Sequence, residues 1–192
     1  MENVDNADGA LIERLIYRGM SFDEYREHIE HEFIGRLAEG NYPPVKNDDG
    51  TDYLYKSTVY ISYAVEYYND VFVTVKYDDY YYYAAAVHGK PWTEYFLADI
   101  GNETLLSISD VLNPIPENIL KDKIISSGQK VYSFTDNWPP DTVALRKDSV
   151  FLLWNVYTIS SYAEGAIRIE IEDAVSDAYL TEKGKRFKRS ME

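Results

Sequence analysis

Two periods divide the chain. Over residues 8–18 apolar Leu11, Ile12, Leu15 and Ile16 recur at helical spacing, and Gly19 stops the run. Ser21 then stands as an N-cap, with Glu24 three residues on to complete a capping box. Phe22, Tyr25, Ile29, Phe33 and Leu37 follow at intervals of three and four, which predicts an amphipathic helix over about 21–39 that ends at Gly40. Pro43, Pro44, Asn47 and Gly50 mark residues 41–51 as an exposed loop.

Beyond that loop the period falls to two. Residues 53–68 alternate and are rich in Tyr, Val and Ile; Asn69-Asp70 supplies a tight turn, and Val71, Val73 and Val75 share the next face, so the pair predicts an antiparallel hairpin. Residues 80–87 predict a third strand, and 92–100 a fourth, closed by Gly101-Asn102. Residues 107–112 read as a short helical turn, and 116–126 as a helix started after Pro116 and closed at Gly128. Val143 to Leu145 and Val150 to Tyr157 form a hairpin reversed at residues 146–149. Ile167, Ile169 and Ile171 alternate with Arg168, Glu170 and Glu172 as a half-exposed strand. Asp173 caps a last helix to Leu180, and the basic tail 183–192 reads as a frayed end. Strict alternation of strand and helix is absent. The expected fold is therefore α+β: a mainly antiparallel sheet with N-terminal helices and one or two further helices packed on it. All 192 residues fit one domain, with a helical part over 8–40 and an α+β part over 53–180.

Composition narrows the function classes. The formal net charge is −14, from 33 acidic and 19 basic residues, a field that repels nucleic acid and anionic lipid and favours a basic protein. Cysteine is absent, which excludes disulfides, thiolate metal sites and cysteine nucleophiles. No apolar stretch approaches the roughly 18 residues of a membrane span. The start Met1-Glu2-Asn3-Val4-Asp5 lacks the features of a signal peptide. If a signal or lipid anchor precedes it in the native gene the domain is extracytoplasmic; otherwise it is cytoplasmic. Tyrosine is the outlier, at 19 residues, densest over 77–83. Tyrosine suits half-buried strands and recognition surfaces alike.

Candidate chemistry is sparse. His28 and His31 lie one turn apart among Glu27, Glu30 and Glu32, but the His-Glu-x-x-His signature is missing, and a solvated charged face explains the pair. His88 precedes Gly89 after the small residues Ala84, Ala85 and Ala86; it fits either a polar group presented at a strand end or a ring bonded to neighbouring backbone. No nucleophile elbow, phosphate-cradling loop or calcium-loop spacing occurs, so neither a metal nor a cofactor is expected. Tyr80 and Tyr82 share one strand face, and Tyr81 and Tyr83 the other. Binding candidates are His88, Tyr80, Tyr82, Trp92, Tyr157 and Tyr162; no catalytic set is assigned.

Three segments in order carry a family resemblance: Ala84 to Gly89; Phe96 to Asn102 followed by Leu105 to Leu112; and Val150 to Ile159 with Tyr162 to Gly165, leading into the strand at Ile167. They resemble an extracytoplasmic bacterial domain of unknown function. That domain serves as the sensor of RsiV-type anti-sigma factors, which bind lysozyme, and as an accessory part of some peptidoglycan deacetylases and of many lipoproteins. Its pattern is a Gly-Gly-x-His-Gly turn, a Phe-Asp-Leu-x-Thr-Gly-Lys hairpin, a Leu-x-Leu-x-Asp-Leu-Phe helix start, and a late aromatic strand with Tyr-x-Ile and a glycine turn. His88, Gly89, Asp110, Tyr157, Ile159, Tyr162 and Gly165 match over roughly residues 53–180. The glycine pair is replaced by alanine, and Thr-Gly-Lys by Ile100-Gly101-Asn102.

The resemblance implies a non-catalytic envelope binding or sensing domain. Its ligand would be a cationic protein or an envelope glycan. Lysozyme binding belongs to particular members, and no separate deacetylase domain is visible. Two alternatives stand beside it: an envelope glycan hydrolase using His88 with a carboxylate, and a structural or oligomerisation domain.

Overall fold

The computed structural model describes residues 58–82, 87–131 and 139–192, and within the first 57 residues positions 13, 17, 20, 21, 23–28, 31, 45, 46, 49, 52 and 53. The chain forms two units: Met1–Ser62 with Asp79–Pro91, and Tyr63–Asp78 with Trp92–Glu192.

In the first unit the predicted capping box stands. Ser21 N donates to Glu24 Oε2 at 2.8 Å, and Glu24 N donates back to Ser21 Oγ at 3.3 Å. These bonds from Ser21 hold the Glu24 carboxyl below its usual range. Residues 23–28 are helical, and buried Tyr25 sets its ring 5.5 Å from that of Tyr17. The rest of the helices expected over 8–18 and 21–39 lies outside the described residues. The stretch expected as a plain loop is flanked by a small antiparallel pair, β1 (Val45–Lys46) and β2 (Asp52–Tyr53).

The predicted hairpin is β3 (Thr58–Tyr68) and β4 (Phe72–Tyr82), followed by β5 (Lys90–Asp99) and β6 (Thr104–Leu106), in sheet order β3-β4-β5-β6. Asn69 makes the first turn, its Oδ1 accepting from Val71 N at 2.9 Å and Phe72 N at 2.8 Å. The strand expected over 80–87 does not start at residue 80, and residues 83–86 lie outside the described residues. Residues 80–82 continue β4, and Val87 and His88 lie in a bend. The acidic pair Asp78-Asp79 lies inside β4. Asp78 is 2.6 Å from Lys76 Nζ and accepts from Thr93 Oγ1 at 2.7 Å, and Asp79 is buried.

The second unit is organised around a second antiparallel sheet of β7 (Thr142–Arg146), β8 (Ser149–Trp154) and β9 (Ile167–Glu172), in that order. Position in the sheet explains the sequence patterns. The central strand β8 is an unbroken buried run from Val150 to Trp154. Edge strand β9 buries its three isoleucines and exposes Arg168, Glu170 and Glu172, as its alternation predicts.

Four helices complete this unit: α1 (Ile108–Val111), α2 (Glu117–Ser126), α3 (Asp173–Ser176) and α4 (Glu182–Arg189). The α2 helix buries Leu120 and Ile124, and Gly128 follows its end in the left-handed region at φ 74°. The helix expected from Asp173 to Leu180 stops at Ser176. Residues beyond it leave to pair with the end of α1: Leu180 bridges Leu112, and Asn113 N donates to Tyr179 O at 2.7 Å.

The basic tail is the largest departure from expectation, because it is a packed helix. Thr181 caps α4 by accepting from Gly184 N at 3.1 Å. Phe187 is fully buried and stacks on Phe72 with ring centroids 4.4 Å apart. Lys188 is also buried, its Nζ donating to Ser149 O at 3.2 Å and lying 2.5 Å from the Asp173 carboxylate. A lysine is buried at tolerable cost only when its donors are met in this way.

Candidate functional site

The site is built where β5 meets the end of β8. Strand β6 covers β5 only at Leu97–Asp99. Upstream, the backbone of β5 takes its partners from side chains. Asn155 Oδ1 accepts from Thr93 N at 2.8 Å while its Nδ2 donates to Thr93 O at 2.9 Å. Thr142 Oγ1 accepts from Tyr95 N at 2.8 Å and donates to Tyr95 O at 3.2 Å. Each side chain thus does the work of a missing strand residue. Tyr95 is buried here. Burial, reinforced by the Glu66 charge, raises its hydroxyl pKa above the ordinary value.

From Asn155 the chain turns into an exposed loop pinned at several points. Asp141 Oδ2 accepts from Asn155 N at 2.6 Å and from Thr158 Oγ1 at 2.7 Å. Thr158 N donates to Asn155 O at 3.1 Å, and Tyr157 N to Ser160 O at 3.0 Å. Buried Ser160 donates through Oγ to Gly165 O. Ser161 and Glu164 form a reciprocal box, with Glu164 N donating to Ser161 Oγ and Ser161 N to Glu164 Oε2, each at 3.2 Å. The bonds from Ser161 lower the Glu164 pKa, so this carboxylate is ionised at neutral pH.

Within this frame Tyr157 adopts φ 69°, the left-handed region. For a bulky L-residue that conformation costs about 1–2 kcal/mol. Its ring is 49% exposed, so burial does not offset the strain. The ring of Tyr162 stacks on it at 6.3 Å between centroids and 25° between planes. Two electron-rich ring faces and an ionised carboxylate two residues past Tyr162 suit a cationic side chain.

The other nominated residues fall as follows. Trp92 is half-buried on β5, in the second unit with Tyr157 and Tyr162. Tyr80, Tyr82 and His88 are half-buried in the first unit. A Cβ placed on Gly89 would fall 2.1 Å from Tyr80 Cζ, so only glycine lets the turn after His88 approach that ring. His88 Nδ1 lies 3.1 Å from Gly89 O, and Tyr60 sets its ring 6.3 Å from Tyr80. His28 and His31 are exposed, and no group of three or more metal-ligating side chains occurs among the described residues. Sequence pattern does not reveal Asn155, Thr142 or Asp141, because their partners lie 62 and 47 residues away or across a loop. A second cleft, of about 530 Å³, joins Tyr67, Thr74, Leu145 and Met191 to the charged Glu66, Arg146 and Lys147.

Among the described residues a four-stranded and a three-stranded sheet with flanking helices, the latter unit carrying an aromatic pair on a pinned loop, define an α+β fold. No family model matches the sequence, and no curated protein matches it. Solved structures do match in fold. A member of the DUF3298 family from Bacteroides fragilis superposes with a TM-score of 0.69 over 100% of this chain and 85% of its own, at 18% identity. A DUF3298 family protein from Pseudomonas aeruginosa gives 0.52 over 66% of this chain and 63% of its own, also at 18% identity. The chain therefore has the fold of these DUF3298 family proteins.

Proposed function

We propose that the chain is a non-catalytic binding or sensing domain of the cell envelope that engages a basic protein through the Tyr157–Tyr162 loop. The observation that carries this reading is Tyr157 itself, a strained backbone that presents a half-exposed ring beside a second tyrosine. Strain held by a surrounding hydrogen-bond frame is a mark of functional sites. The net charge of −14 draws a cationic partner toward the loop. The sequence resemblance to RsiV-type sensors supports the same reading, including a location outside the cytoplasm. No helix among the described residues is long and apolar enough to cross a membrane.

The test uses hen lysozyme as the basic probe, with affinity measured by calorimetry at low and at high salt. Binding should weaken with salt, as expected for screened charges. Tyr157→Gly keeps the left-handed backbone without strain and removes only the ring. It should weaken binding at least fivefold while stability changes by less than about 1 kcal/mol. Equal affinity in Tyr157→Gly, or no binding at either salt concentration, overturns the proposal.

A further inference from the structure

The cleft of about 530 Å³ lies wholly in the second unit, lined by Glu66 and Thr74 of the β3–β4 hairpin, by Arg146 and Lys147 where β7 turns into β8, and by Met191 after α4. We infer that it binds a small zwitterion with an apolar side chain, of the α-amino acid type, at a site separate from the Tyr157 loop.

Thr74 supplies the first reason. It is 1% exposed, and its Oγ1 has no hydrogen-bond partner. A buried hydroxyl left in this state costs free energy until a partner reaches it. A hydroxyl both donates and accepts, so a carboxylate or an ammonium group can satisfy it. The charges at the rim supply the second. Glu66 and Lys147 are exposed, opposite in sign, and ion-paired neither with each other nor with another of the described residues. Arg146 is already engaged, by the Glu170 carboxylate and by the Phe151 ring 4.5 Å below it. The cleft therefore offers one free charge of each sign. A singly charged ligand matches one of them and is repelled by the other, whereas a zwitterion matches both.

Between these charges the walls are apolar. Leu145 is buried, and the Tyr67 ring and Met191 are half-buried. The volume falls in the range of small-molecule sites, about 300–1,000 Å³. The walls are also fixed in advance. Tyr67 Oη donates to Ser190 O at 2.8 Å and Asn69 Nδ2 to the same oxygen at 2.9 Å, which ties the chain beside Met191 to the hairpin. Lys188 Nζ donates to Arg146 O and, at 3.2 Å, to Ser149 O, which holds the turn that carries Lys147. A preformed cleft spares a ligand the entropy of ordering its walls. Exposed charges each add little, so a dissociation constant on the order of 1 mM is expected.

The experiment is an NMR titration of the full chain with methionine methyl labelling, read at Met191, one of three methionines. L-leucine and L-leucyl-L-leucine are the zwitterionic probes; 4-methylpentanoate and 3-methylbutylamine keep the leucine skeleton without its ammonium or without its carboxylate. At least one zwitterion should shift Met191 saturably, and the tighter of the two tells whether one residue or the two ends of a dipeptide match the charges. Both singly charged analogues should bind at least about threefold more weakly. The near-isosteric Thr74→Val should weaken zwitterion binding about fivefold. If that variant fails to fold, the exposed Glu66→Gln and Lys147→Gln take its place, each with a loss of about threefold. The absence of a saturable shift with either zwitterion, a singly charged analogue that binds as tightly, or full affinity in these variants overturns the proposal. The cleft shares no residue with the Tyr157 loop, so the two sites stand or fail separately.

Discussion

Replacing Gly184 by alanine sets two effects of opposite sign against each other. Gly184 lies in the first turn of α4, and on helix propensity alone alanine gains about 1 kcal/mol there. The structure opposes that gain. A Cβ on residue 184 would sit 2.1 Å from Val111 O and 3.1 Å from Leu180 Cδ2. The first contact is with backbone, so relief means moving α4 away from α1 by close to an ångström. The helix is fastened there by Thr181 N to Val111 O at 3.1 Å and by Thr181 Oγ1 to Asp110 O at 2.6 Å. Overpacking costs about 1–3 kcal/mol, and each of the two strained hydrogen bonds is worth about 1 kcal/mol. The net expectation is a loss of about 1–4 kcal/mol. Urea denaturation followed by circular dichroism measures it, with Lys185→Ala on the same helix as a control that should stay within about 0.5 kcal/mol of the parent. A Gly184→Ala protein with an unchanged or higher urea midpoint would show that α4 does not press on α1, and the account of the C-terminal helix would fall.

Three further outcomes are expected. Thr74 is 1% exposed and its Oγ1 has no partner, so the near-isosteric Thr74→Val should stabilise the protein by about 1 kcal/mol in urea; a loss of stability refutes the orphaned hydroxyl. Asp110 is held at a pKa of about 2, first by the Ser107 hydroxyl, then by the Ser107 amide and Lys183. Because its folded pKa lies below the ordinary 3.8, its contribution is present above about pH 4 and is lost as pH falls toward 2. In Ser107→Ala the NMR-measured pKa should rise toward 3.8 and the acid loss should shrink, whereas an unmoved pKa would remove Ser107 as the cause. Asn155→Asp sets a carboxylate oxygen against Thr93 O in a site 2% exposed, and should cost about 2–4 kcal/mol at neutral pH. Part of that loss should return in acid, where the protonated carboxyl can donate; a melting temperature equal to the parent at neutral pH refutes the pairing.

Elements whose pattern is set by their own neighbours were legible in the sequence. The Ser21–Glu24 box, α2, the β7–β8 hairpin and the alternating β9 all follow from local period and punctuation. Elements decided by distant partners were not. That β4 runs on through Asp78-Asp79 depends on Lys76 and Thr93, which hold Asp78 in place. The tail looks frayed because its charges are visible in sequence, whereas the acceptors at Ser149 and Asp173 that receive Lys188 are not. The two apolar residues in that run, Phe187 and Met191, were the available signal, and a single pair sets no period. At the site, motif order singled out Tyr157 and Tyr162, but their stacking and the frame around Asn155 arise from bonds that bridge up to 62 residues.

The loop itself argues that Tyr157 is kept for something other than folding. It contains two left-handed positions, Tyr157 at φ 69° and Gly165 at φ 79°. At the second the chain uses the residue that meets this conformation without strain. At the first it uses one of the residues least suited to it. Much of the frame is made by other groups: Asp141 holds Asn155 and Thr158, Tyr157 contributes its backbone N–H to Ser160 O, and Ser160 closes onto Gly165. A glycine at 157 could make the same N–H bond and would relieve the strain. What it could not supply is the aromatic surface stacked on Tyr162. The stack is worth about 0.5–1.5 kcal/mol beyond buried area, no more than the strain of about 1–2 kcal/mol that it accompanies. The stack alone therefore gives no folding-energy reason to prefer tyrosine here, and the half-exposed ring is the surface that the proposed partner would meet.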